Sequence, residues 1–147
     1  MNRFNFAILF LLSLLSISGW AQNSEAERIM RIIPSLKEDS TKVNTLIELG
    51  TAYLSTDINE AIKYGIEARD LAENVNHKKG LGFALKLLGL GNAYKGNYVE
   101  ADVQFKASLE VFESINFKDG ISNILNNLGS LNFSLGEDTK SIDYHLR

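Results

Sequence analysis

Residues 76–107 read NHKKGLGFALKLLGLGNAYKGNYVEADVQFKA, and residues 116–147 read NFKDGISNILNNLGSLNFSLGEDTKSIDYHLR. Laid over one another without a gap, they share eight identities in 32 pairs, where ordinary residue usage gives about two. The shared positions are Asn76/Asn116, Lys78/Lys118, Gly80/Gly120, Leu85/Leu125, Leu88-Gly89/Leu128-Gly129, Asn92/Asn132 and Gly96/Gly136, all at an offset of 40 residues. Further back, Glu60-Ala61 matches Glu100-Ala101 at the same offset, and Leu49-Gly50 precedes Leu88-Gly89 by 39, which makes the first copy one loop residue shorter. A fixed period of this length marks a stack of like units. The chain divides into copies at about 40–78, 79–118 and 119–147, the last of them incomplete.

Each copy reads as two helices. Val43, Leu46, Ile47, Leu49, Tyr53 and Leu54 follow helical spacing. Ser55-Thr56-Asp57 breaks that pattern, and Asp57 with Glu60 has the spacing of a capping box. Ile58, Ala61, Ile62, Ile66, Ala68 and Leu71-Ala72 make the second helix. The plan recurs as Leu81–Lys95 with Tyr98–Ile115, and again from Ile121 to Leu135 before a break at Gly136. Gly50, Gly89 and Gly129 fall mid-way along the first helices, where each costs about 1 kcal/mol of helix propensity relative to alanine. Close approach of a second helix offsets that cost, with Ala61, Ala101 and Ser141 as its small residues and Ala68 and Ser108 two turns on. Tyr64, Phe105 and Phe112 are the bulky candidates for the space between hairpins. Ahead of the array, residues 22–39 hold a lead-in helix limited by Pro34.

This pattern resembles the tetratricopeptide repeat. The second copy carries it best, in Leu85, Leu88-Gly89, Gly96-Asn97-Tyr98, Ala101, Phe105 and Ser108. Leu49-Gly50, Tyr53, Ala61 and Ala68 supply it in the first copy, and Leu125, Leu128-Gly129, Gly136 and Ser141 in the third. The 40-residue period and the absence of a closing proline depart from the usual 34-residue unit, and look like the lengthened variant of exported bacterial signalling proteins. The resemblance implies an all-α, right-handed solenoid of about three helical hairpins, binding protein or peptide on a concave face lined by the first helices. The residues it places there are Asn44, Ile47 and Thr51, then Phe83, Lys86, Leu90 and Tyr94, then Asn123, Asn126 and Ser130. Their alternative is an ordinary solvated helix face, or core in the case of Phe83 and Tyr94. Together they read as neutral and amide-rich, with Lys86 the one charge.

The first 21 residues have the layout of an export signal: Arg3, an apolar run from Phe4 to Ile17, then Ser18-Gly19-Trp20-Ala21 before a cleavage point at Gln22. An uncleaved anchor is the alternative; either one puts the array outside the cytoplasm. A net charge of −3 with no basic run longer than Lys78-Lys79 argues against nucleic acid as partner. The chain has no cysteine, which excludes thiolate chemistry and disulfides. His77 and His145 are the only histidines, and neither has a carboxylate at metal-ligand spacing, so no metal or other cofactor is expected. Gly89-Leu90-Gly91 is similar to the start of a dinucleotide loop, but Tyr94 stands where a third glycine belongs. No enzymatic constellation emerges. The expectation is an exported interaction module, the sensory front or scaffold part of a signalling protein. Two alternatives accompany it: a stand-alone periplasmic scaffold that self-associates through an uncapped last hairpin, and a fragment of a histidine kinase or nucleotide cyclase whose catalytic domain follows.

Overall fold

A computed structural model describes residues 26–146. The expected export signal at residues 1–21 and the first residues of the expected lead-in segment lie outside them.

The described residues are all helical, in a consecutive array. Residues 26–32 form α1, which gives way to a 3-10 turn at Ile33–Ser35 with Pro34 in its first positions. Pro34 lacks the N–H that a longer helix needs, and Leu36 leaves in extended conformation. Then follow α2 (Ser40–Tyr53), α3 (Ile58–Asn74), α4 (Lys78–Tyr94), α5 (Tyr98–Ser114), α6 (Lys118–Ser134) and α7 (Asp138–Leu146). Ala26 and Ile29 bury themselves in the core formed by Val43, Leu46, Leu49, Tyr64, Ala68 and Leu71, so α1 covers the outer side of the first hairpin.

The repeat has a finer grain than 40 residues. α3, α4, α5, α6 and α7 begin at 58, 78, 98, 118 and 138, and the first four of these are 17 residues long. Four of the turns close in one way. Asn76, Gly96, Asn116 and Gly136 take left-handed backbone at φ 54°, 79°, 52° and 74°. The next N–H reaches back five residues: His77 to Ala72, Asn97 to Asn92, Phe117 to Phe112 and Glu137 to Asn132, at 2.8–2.9 Å. These bonds satisfy carbonyls that a helix end leaves orphaned. Asparagine and glycine are the residues that adopt this conformation at low cost, which explains their alternation at 20-residue intervals.

That geometry corrects two helix starts. α4 and α6 begin at Lys78 and Lys118, not at Leu81 and Ile121. Gly80 and Gly120 therefore lie inside helices rather than in links, and what they supply is room. A Cβ on Gly80 would strike Val43 and His77, and one on Gly120 would strike Phe112 and Phe117. The first turn is built differently, since Asp57 accepts at its carboxylate from the N–H groups of Asn59 (2.9 Å) and Glu60 (3.2 Å). Glu60 turns instead to Lys63 at 3.0 Å, so the helix is capped from one side.

Each helix packs on the next, and the first helices also touch one another: α2 meets α4, and α4 meets α6. Among the described residues, α3, α5 and α7 make no such contact with each other. The row of first helices is thus the tighter one. The glycines expected to admit a neighbour do so, but the neighbour is a ring in two cases of three. Phe105 lies on Gly89 and His145 on Gly129, in one register, while Gly50 approaches Leu87 and the Ala61 carbonyl. The first hairpin has Gly65 at the Phe105 register, and Leu87 and Leu88 from α4 enter the space. Between the second and third hairpins, Phe112 is fully buried against both Gly82 and Gly120. Within the second hairpin, Ser108 ties α5 to α4 by donating to the Gly82 carbonyl at 2.7 Å.

Candidate partner-binding face

The ten residues assigned to a binding face all lie on α2, α4 and α6, the tighter row. Spacing explains why they share it: Phe83, Lys86, Leu90 and Tyr94 step by three and four along α4, one stripe of a helix. Their roles diverge. Phe83 is half-buried and packs edge-on to Phe112 at 5.2 Å and Phe117 at 5.9 Å, so its ring is committed to the core. Leu90 packs against the same cluster, and Ile47 against the first one. Thr51 is exposed and donates its hydroxyl to the Ile47 carbonyl at 2.7 Å. Asn123 and Ser130 are exposed.

Asn44 and Asn126 each have a histidine for company. Asn44 Oδ1 lies 3.4 Å from His77 Nε2, and Asn126 Oδ1 lies 3.3 Å from His145 Nδ1. These contacts tie α2 to the start of α4 and α6 to α7, giving both histidines structural neighbours. Among the described residues no group of three His, Asp or Glu is placed to hold a metal ion. Tyr94 is 62% exposed, an aromatic ring standing in solvent at the end of α4.

Lys86 is the one cation among these ten residues. It sits half-buried between Phe83 and Leu90, and no carboxylate of the described residues comes within ion-pair distance of it. Burial alone pulls its ammonium below the ordinary lysine value, because desolvation disfavours the charged form.

One residue of this region escaped the sequence reading. Asn127 on α6 buries its Nδ2, and that donor has no hydrogen-bond partner. Its register is that of Leu87, which crosses from α4 to Gly50 on α2. Asn127 accordingly faces α4 across the next seam. The available signal was an asparagine where the preceding copy has leucine. Asn92 and Asn132, shared between copies, have structural roles: their amides donate to the Leu88 and Leu128 carbonyls at 3.0 and 2.8 Å.

No protein-family profile matches the chain, and no curated protein matches it. The functional reading therefore rests on the face itself. Among the described residues no helix is long and apolar enough to cross a membrane.

Proposed function

We propose that this chain is an exported tetratricopeptide-type module, a right-handed solenoid that binds protein or peptide along the row of first helices and catalyses nothing within these residues. Its place is the sensory or scaffold part of a bacterial signalling protein, outside the cytoplasm, with any kinase or cyclase output supplied by other sequence. The observation that carries this reading is the stripe on α4, where exposed Tyr94 and half-buried, unpaired Lys86 flank apolar Leu90 in the middle of the row. Exposed aromatics beside apolar ground are the usual anchors of interfaces. Residues 1–21 support export through their signal-like layout.

Replacing Tyr94 by Ala tests the reading by co-purification from the source cells. Partner capture should fall several-fold while helicity by circular dichroism stays unchanged. Unchanged capture with intact helicity would remove Tyr94 from the face.

A second reading has its own observation. Phe133, Ile142 and Leu146 are 69%, 58% and 81% exposed at the far side of the third hairpin, an apolar surface suited to self-association. A sedimentation mass that climbs with concentration would favour a self-associating scaffold. A constant monomer mass would sink that alternative.

A further inference from the structure

α1 meets the first hairpin through an apolar stripe and, at its rim, a polar contact to sulfur. Ala26 and Ile29 are 5% and 2% exposed, and Ile33 packs on the same core. Met30, beside Ile29, stands partly in solvent at 41% exposure. There Tyr53, the last residue of α2 and 23 positions away, donates its hydroxyl to Met30 Sδ at 3.1 Å. The Tyr53 ring stacks on buried Tyr64 at 5.7 Å with the planes 17° apart. That stacking fixes the direction of the phenol, so its hydroxyl stays aimed at α1.

A thioether is a weak acceptor, so a strong donor here meets a poor partner. The same atom is the one sulfur of the described residues, because the chain has no cysteine and its other methionine is Met1. An open cleft of about 320 Å³, lined among the described residues by Glu27, Met30 and Arg31, gives a small oxidant access to it. Oxidation at methionine usually disrupts a core, since a polar sulfoxide replaces an apolar thioether. Met30 is placed for the opposite outcome. Its neighbours Ala26 and Ile29 supply the buried contact, while its own sulfur faces a hydroxyl donor. A sulfoxide oxygen carries partial negative charge and accepts far better than thioether sulfur does. The side chain is unbranched and partly exposed, so a turn about its bonds makes room for the added oxygen.

We propose that Met30 is a reversible oxidation site, at which hydrogen peroxide converts the thioether to a sulfoxide and Tyr53 then holds α1 through the new oxygen. A sulfur lone pair attacks one peroxide oxygen, and the S–O bond forms as the O–O bond breaks. The departing hydroxide takes the proton of the transferred oxygen and leaves as water. Sulfur loses two electrons and the peroxide gains them. A methionine sulfoxide reductase reverses the change with two thiols, which become a disulfide while the oxygen leaves as water. The modification sets how firmly α1 is held over the first hairpin. It does not depend on the reading of the first-helix row as a binding face.

The test treats the purified full chain with hydrogen peroxide, beside Tyr53→Phe and Met30→Leu. Peptide mapping follows the mass at residue 30, and amide exchange follows residues 26–35. Circular dichroism first checks that all three proteins keep the same helicity. In the native chain Met30 should gain one oxygen atom, and exchange across α1 should then slow about three- to tenfold, the contribution of one hydrogen bond. A sulfoxide reductase with dithiothreitol should restore both mass and rate. Tyr53→Phe keeps the ring and loses the donor, so its Met30 should oxidise without any slowing of α1. Met30→Leu should respond in neither measurement. Unchanged or faster exchange of α1 in the oxidised native chain would overturn the proposal, as would equal slowing in Tyr53→Phe. So would a Met30 that stays a thioether under peroxide sufficient to oxidise a short methionine peptide.

Discussion

The two rows of helices solve the same packing problem with opposite chemistry. The second-helix row pairs its lysines on itself: Glu60 with Lys63, Asp102 with Lys106 and Glu137 with Lys140, all within one helical turn or across a helix start. Such exposed pairs contribute little stability each, and the row keeps a surplus of carboxylates beyond them. The first-helix row invests in proximity. Its glycines let α2 and α4 lie close, at Gly50 and Gly80, and admit rings from the second row at Gly89 and Gly129, while its central lysine has no ion-pair partner among the described residues. A row with a surplus of carboxylates and one with a surplus of lysines differ in what they can bind, and under the proposed function it is the tighter row that meets the partner.

The comparison breaks hardest at Phe112. Its ring is fully buried and contacts space on α4 and α6 at once, so Phe112→Ala removes the link that holds two hairpins in register. Chemical denaturation should show a loss of about 3–5 kcal/mol, with the second and third hairpins losing cooperativity. A loss under about 1 kcal/mol would mean that the junction is held elsewhere.

Gly89→Ala is the subtler probe. A Cβ there would come 2.5 Å from the Phe105 ring, which is 2% exposed and cannot step aside. Overpacking of about 1–3 kcal/mol should outweigh the ~1 kcal/mol gained in helix propensity, giving a modestly lower melting temperature. The same change at Gly129 meets only His145, whose exposed side chain can move, so the difference between the two variants measures how rigidly the second row holds the first.

Much of this architecture is legible in the sequence. The 40-residue identities place the hairpins, Asp57 announces its own cap, and Gly50, Gly89 and Gly129 report close approach before any coordinate does. What is not legible is which neighbour arrives. Gly89 and Gly129 meet rings four residues beyond the small Ala101 and Ser141, because the ring reaches back along its helix to the glycine. Gly80 and Gly120 look like turn glycines in a string of letters, yet the left-handed residues are Asn76 and Asn116. A glycine in a sequence does not say whether it supplies a backbone angle or a gap. The face was harder still. Its stripe follows from spacing, but Phe83 is committed to the core, and Asn127 becomes conspicuous only once α6 is seen to lie against α4. The charge segregation was missed for a different reason: the chain is acidic as a whole, and the surplus of lysine on one row emerges only when helices are assigned to rows.

The most direct test of the account places a photo-reactive phenylalanine analogue, in living source cells, at Thr51 or Asn126 on the first-helix row and at Glu67 or Glu110 on the second. Irradiation should attach a discrete partner to the array from Thr51 and Asn126, with little or nothing from Glu67 and Glu110. Adducts from the second-helix positions alone would contradict the account, because they would put the partner on the row opposite the proposed binding face.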